Sequence, residues 1–132
     1  MNTGADTEAI ALCASAELQD GALAVPFDVV YDGQICRAFA IRFDAQVHAY
    51  LNRCTHIAME MDYRANHFFD CTGRWLLCST HGAMYAPDTG QGVGGPCRGP
   101  LQKIKVTELD GTVYWHPSPL CKPLPKTFSK PV

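Results

Sequence analysis

The sequence predicts an all-β domain, an antiparallel sandwich or barrel into which a loop subdomain is inserted from about residue 54 to residue 100. Three observations predict it. Apolar residues recur at alternate positions, as Phe27, Val29 and Tyr31 do, and as Ile35, Phe39, Ile41 and Phe43 do around Arg37. D-G pairs at Asp32–Gly33 and Asp110–Gly111 separate such runs, and that dipeptide is a strong signal for a two-residue hairpin. Only Thr7 to Leu18 has helix-friendly composition, and its E-A-I-A-L-C could equally begin a strand. A chain of 132 residues is expected to form one domain with its own core.

Taken in order, the first clear strand runs through Phe27, Val29 and Tyr31 to the turn at Asp32–Gly33, and the second continues from Ile35 to Phe43. Asp44 to Gln46 turns the chain into a third, Val47 to Arg53. Phe68 to Cys71 and Trp75 to Cys78 are expected to pair as a hairpin across D-C-T-G-R. Leu101 to Leu109 and Thr112 to His116 form another around Asp110. The tail from residue 116 to 132 holds Pro117, Pro119, Pro123, Pro125 and Pro131, and is expected to run extended along the surface or over a partner. No internal repeat is found.

The chemistry concentrates in two short boxes, Cys54-Thr55-His56 and Cys78-Ser79-Thr80-His81-Gly82. Each offers one thiolate and one imidazole close enough in sequence for a single turn to aim both at one centre. A [2Fe-2S] cluster with two thiolates on one iron and two imidazoles on the other requires that donor set. Two Cys and two His also satisfy tetrahedral zinc, although a zinc finger usually groups its cysteines in one hairpin and its histidines on one helix. The remaining alternative is two unrelated Cys/His pairs. His48, His67 and His116 lack a Cys at box spacing; His67 lies four residues before Cys71 without a following Gly and is expected at the surface. Cys36 and Cys71 fall in strand-like runs and are expected to fill the core.

The C-x-H and C-x-x-H-G boxes resemble those of the Rieske iron-sulfur family, and the resemblance covers most of the chain. It includes Gly82 to Gly90 (G-A-M-Y-A-P-D-T-G) and the G-G-P-C-R-G-P-L stretch from Gly94 to Leu101, similar to the loop that covers the cluster's third side. One departure is the spacer: twenty-one residues, Ile57 to Leu77, lie between the boxes, a few more than is common, which bears on the shape of the first loop. The resemblance implies a Rieske-like fold and a cluster bound by Cys54 and Cys78 on one iron and by His56 and His81 on the other. Ala58 and Ser79 occupy the positions where respiratory members carry a disulfide. Ala83 stands where high-potential members place a Ser hydroxyl, and Tyr85 where they place a Tyr. These residues imply a potential in the lower or middle part of the Rieske range of roughly -150 to +300 mV. Cys97, in the covering stretch, is either a redox-sensitive thiol or a small residue packed under it. Met59, Met61, Met84, Pro96 and Pro100 would ring the two histidines as a docking face, unless the methionines, Met61 and Met84 above all, face the core instead.

The implied function is one-electron transfer, from a flavin reductase to a terminal oxygenase or other oxidoreductase. A small structural or regulatory subunit, similar to those of nitrite reductases, is the alternative. The chain itself shows no independent catalytic site: no 2-His-1-carboxylate set for mononuclear iron is found. A formal net charge of -2 and the lack of a Lys/Arg-rich run argue against nucleic acid. No apolar run approaches membrane-spanning length, the N-terminus lacks an export signal and a twin-Arg pair, and an odd count of 7 Cys suits a reducing compartment, so a cytoplasmic location is expected.

Overall fold

The computed structural model describes residues 9–53, 60–62, 65–79, 82–96 and 99–124. Eleven strands are found among them, in three sheets whose strand pairs are all antiparallel. The central sheet has five, in the order β11 (Cys121–Lys122), β2 (Val25–Tyr31), β3 (Gln34–Phe43), β4 (Gln46–Leu51) and β8 (Lys103–Ile104). A second holds β1 (Ile10–Ala14), β10 (Thr112–Trp115) and β9 (Val106–Leu109). The third is made of the short strands β5 (Leu76–Leu77), β6 (Met84–Tyr85) and β7 (Gly92–Gly94). No helix among the described residues is long and apolar enough to cross a membrane.

The central sheet is a wall between two cores, so the middle of β3 is apolar on both faces. Phe39 and Ile41 point to one side and Ala38 and Ala40 to the other, and all four are fully buried. Across β4, Tyr50 joins the first set while Ala49 and Leu51 join the second. The second core is closed by the three-stranded sheet through Val113 and Trp115, with the Phe27 and Trp115 ring centroids 5.5 Å apart. The first core belongs to the inserted region: Met61, Phe68, Leu76, Cys78, Ala83 and Tyr85 pack against Phe39 and Tyr50. Phe68 stacks on Phe39 with centroids 3.8 Å apart and planes 10° from parallel. Burying side chains of this size contributes about 1.5–3 kcal/mol each, so the insertion is anchored by its aromatic and aliphatic contacts with the sheet. Small residues on one face and large ones on the other explain why strict alternation marks only part of β3.

Three two-residue hairpins set the register. Tyr31 pairs with Gln34, Phe43 with Gln46 and Leu109 with Thr112. Both residues of each turn have positive φ: 49° and 79° at Asp32–Gly33, 54° and 68° at Asp44–Ala45, 52° and 81° at Asp110–Gly111. This is the backbone twist that matches antiparallel strands. Ala45 is an unfavourable residue for that conformation, and Asp20 compensates. Its two carboxylate oxygens accept the N–H groups of Asp44 and Ala45 at 2.8 and 2.6 Å.

The N-terminal stretch, which the sequence leaves open between helix and strand, forms β1 and a single 3-10 turn at Ser15–Glu17. Three expectations need correction. Leu101 to Leu109 is not one strand: β8 pairs with β4, the chain switches sheets at Lys105, and β9 pairs with β10. Alternation continues across that corner while the hydrogen-bond partner changes. Cys71 is exposed in the hairpin turn, not core filler, although Cys36 does pack against the second core. The Pro-rich tail turns at Ser118–Cys121 and adds β11 to the edge of β2, with Cys121 opposite Tyr31 and buried. Residues 125–132 lie outside the described residues. A cavity of about 470 Å³ separates the sheet's two edges, lined by Ile104 on one side and by Tyr31, Leu120 and Cys121 on the other.

Candidate metal centre

The third sheet carries the second box at its end. Leu76 pairs with Tyr85 and Leu77 with Met84, so the chain leaves β5 at Cys78 and returns at Ala83. Two backbone bonds close this turn: the Cys78 N–H donates to Ala83 O at 2.8 Å and the Gly82 N–H to Cys78 O at 3.0 Å. Gly82 makes the return possible with φ of 79°, a conformation that costs a non-glycine residue about 1–2 kcal/mol. Cys78 and Ala83 are fully buried. Among the described residues nothing lies within 4 Å of where a Gly82 Cβ would point.

Two further segments are tied to this turn. The Ser79 N–H donates to Met61 O at 3.0 Å, joining the second box to the end of the segment that follows the first. On the other side Gly95 presses onto the turn: a Cβ there would sit 2.4 Å from Gly82 O and 2.9 Å from the Ala83 Cα. The backbone at Gly95 therefore lies against the backbone of Gly82 and Ala83, and β7 joins the sheet beside Met84. The spacer also finds its place. Asp70 accepts N–H bonds from Thr72 and Arg74, the Asp70 N–H reaches Trp75 O at 2.9 Å, and the tip packs on Gly21, whose added Cβ would lie 3.1 Å from Gly73 O. The longer spacer forms the expected hairpin and docks it against the scaffold.

Of the four candidate ligands, Cys78 is placed at the buried end of β5; Cys54, His56 and His81 lie outside the described residues. Among the described residues no three His, Cys, Asp or Glu side chains gather as a metal site. The other cysteines and histidines serve elsewhere. Burial pushes the Cys13 and Cys121 thiols up to about 11, which makes poor ligands of them. His48 is half-buried on β4 with its basicity lowered by burial and by Lys103, His67 is exposed as expected, and His116 Nε2 lies 2.9 Å from Thr107 Oγ1. Met61 is fully buried beside Cys78, so it cannot belong to a docking face; Met84 is half-buried and Pro96 and Pro100 are exposed. Met59 and Cys97 lie outside the described residues.

Sequence reasoning missed two supporting residues. Asn52 is the one buried polar residue found among the described residues, and it bonds to Met61 and Asp62 beyond the first box. Tyr50 buries its ring beside Gly90 and donates its hydroxyl to Pro87 O at 2.7 Å, which fixes the T-G turn; burial and the nearby Asp88 raise its pKa. A polar residue directly after an apolar strand was the available signal for Asn52.

The profile of the Rieske [2Fe-2S] domain matches residues 8–105. The chain belongs to the Rieske family. Membership implies a Rieske-type [2Fe-2S] cluster, and the structure fits one: a buried thiol, a glycine turn with no described residue within 4 Å of its missing Cβ, and three segments brought together. This Rieske domain superposes on the ferredoxin of carbazole 1,9a-dioxygenase from Nocardioides aromaticivorans IC177 with a TM-score of 0.66 at 22% identity, covering 83% of this chain and 98% of that one. It is similar to the Sphingomonas yanoikuyae B1 ferredoxin, with a TM-score of 0.63, 24% identity, and 84% and 100% of the two chains. A chain from a complex of reduced oxygenase and oxidized ferredoxin in carbazole 1,9a-dioxygenase gives a TM-score of 0.63 at 25% identity over 82% and 92%. No curated protein matches the sequence.

Proposed function

We propose that this Rieske domain is a one-electron carrier that takes electrons from a flavin reductase and passes them to a terminal oxygenase or a related oxidoreductase. The observation that carries the proposal is the likeness, across nearly the whole length of the matched chains, to ferredoxins, one of them matched in a complex with its oxygenase. Cys54 and Cys78 would hold one iron of the cluster, and His56 and His81 the other. When bound, the cluster supplies one-electron chemistry at a potential above that of all-cysteine clusters, because neutral imidazoles replace two anionic thiolates.

The chain's own residues do the rest. Cys78, fully buried in the core that also holds Met61, Phe68 and Ala83, would offer its thiolate in a dry setting. Gly82 and Gly95 let two backbone segments meet without side chains between them. Ala83 contributes no hydroxyl, which keeps the potential from the top of the Rieske range. Pro96 and Pro100, exposed beside the covering stretch, and the half-buried Met84 form part of a small apolar contact surface suited to rapid binding and release.

The test is electron relay. The protein is reduced by NADH and a flavin reductase, then mixed in a stopped-flow instrument with the oxidised oxygenase component of a carbazole-type dioxygenase. One electron per chain should pass to the oxygenase, and Met59→Glu should slow the step at least about tenfold while leaving the EPR spectrum intact. Reduced protein that keeps its electron as long in the presence of the oxygenase as in buffer would count against the role.

A further inference from the structure

Asn52 and Asp62 bracket the segment that holds Cys54 and His56. The Asn52 side chain does two things at once: its Oδ1 accepts the Met61 N–H at 2.9 Å and its Nδ2 donates to Asp62 Oδ1 at 2.8 Å. Asp62 uses its other oxygen to accept the Asn66 N–H at 2.9 Å, and Asn66 O accepts the Ala24 N–H at 3.0 Å, which ties the series to the scaffold. The opposite end is fixed too, because the Asn52 N–H donates to Arg37 O on β3 at 2.9 Å. Met61 is gripped from both sides. Its N–H is held by Asn52, its carbonyl by the N–H of Ser79 next to Cys78, and its side chain is fully buried in the core that contains Cys78.

A buried amide in this position is demanding. Asn52 is only 4% exposed, so loss of either bond leaves a donor or acceptor without water to replace its partner. The polarity is also fixed: residue 52 must accept from a backbone N–H and donate to a carboxylate, while residue 62 must accept twice. General loop anchoring would need no such side-chain complementarity beside one thiolate ligand.

We infer that the Asn52–Asp62 pair is a positioning device that sets the first ligand segment against the second, through Met61 and Ser79. The inference rests on the assignment of Cys54 and His56 as ligands. It predicts that the polarity of the pair matters and its identity does not. Asn52→Asp alone would set two carboxylates against each other. Asp62→Asn alone would force one donor against a donor, at Asn52 or at the Asn66 N–H. The exchange Asn52→Asp with Asp62→Asn preserves every bond: the carboxylate introduced at position 52 would accept from the Met61 N–H and from the amide introduced at position 62, whose oxygen would accept from Asn66.

The experiment measures, for holoprotein of each single variant and of the double exchange, iron release to a chelator, the reduction potential, and the histidine nitrogen couplings in the EPR of the reduced state. Each single variant should release iron about tenfold faster than wild type and alter the potential or the couplings. The exchange should return all three close to wild type. An exchange no better than the singles, or singles that match wild type, would overturn the inference. Failure of the ligand assignment is recognised separately, since His56→Ala protein with a full iron complement and unchanged nitrogen couplings would refute that assignment whatever the exchange shows.

Discussion

Gly95→Ala tests the backbone contact on which the covering stretch depends. Gly95 has φ of 71°, and an added Cβ would lie 2.4 Å from Gly82 O and 2.9 Å from the Ala83 Cα. Both are backbone atoms, so no side chain can rotate away; the two segments must separate by roughly an ångström to reach ordinary contact. The left-handed conformation costs Ala about 1–2 kcal/mol, and forced separation of packed backbone about 1–3 kcal/mol more. Gly111→Ala supplies the control, since its φ of 81° imposes the same conformational cost while no described residue lies within 4 Å of its Cβ position. In a domain of this size 1 kcal/mol shifts Tm by roughly 3–5 °C. Gly95→Ala should therefore lower Tm by about 6–25 °C and Gly111→Ala by about 3–10 °C, when scanned at the same rate. Only Gly95→Ala should speed iron release. Equal shifts in the two variants, with iron retained equally, would show that the covering stretch does not rest on the second box.

Other outcomes follow from the same geometry. Phe68→Ala removes the ring stacked 3.8 Å from Phe39 and should cost about 3–5 kcal/mol in unfolding free energy, measured by denaturant titration. Ala83→Ser places a hydroxyl in the buried turn beside Cys78 and should raise the reduction potential by roughly 20–60 mV in voltammetry, since a donor stabilises the more negative reduced state. An unchanged potential would mean that the new hydroxyl does not meet cluster sulfur. The Arg42 guanidinium, bonded to Glu108 Oε2 at 2.6 Å, holds the Glu108 carboxyl below its ordinary value of 4.5. The stability gained from this depressed pKa is present above the unfolded value and lost as pH falls through the folded one. Glu108→Gln should therefore be less stable than wild type at neutral pH and lose less stability between about pH 5 and pH 3; parallel acid curves for the two proteins would remove the ion pair from the account.

How much of this was legible in the sequence depends on which interactions are local. The three hairpins were readable because their turn residues declare themselves: D-G twice, and Asp44–Ala45 between two alternating runs. The reason for Gly95, a carbonyl of the other segment 2.4 Å from its missing Cβ, could not be read from G-G-P. The corner at Lys105 was invisible because a strand that changes sheets keeps its period. Cys71 was misjudged, and Met61 left open between core and docking face, for one reason: the sequence gives no register for the spacer, whose turn exposes Cys71 while its preceding segment buries Met61. Cys121 looked like part of an extended tail, and only the pairing of β11 with β2 buries it. The Asn52–Asp62 pair joins residues on either side of the first box, and no local pattern encodes it.

The central claim is that Cys54, His56, Cys78 and His81 hold a Rieske cluster. Metal and sulfide analysis of the purified protein, combined with EPR of the reduced state after labelling histidine with nitrogen-15, tests it most directly. Two iron and two acid-labile sulfides per chain, couplings to two histidine nitrogens, and loss of most of the bound iron in His56→Ala and in His81→Ala are expected. Colourless protein that carries one zinc, or an iron signal without histidine couplings, would contradict it.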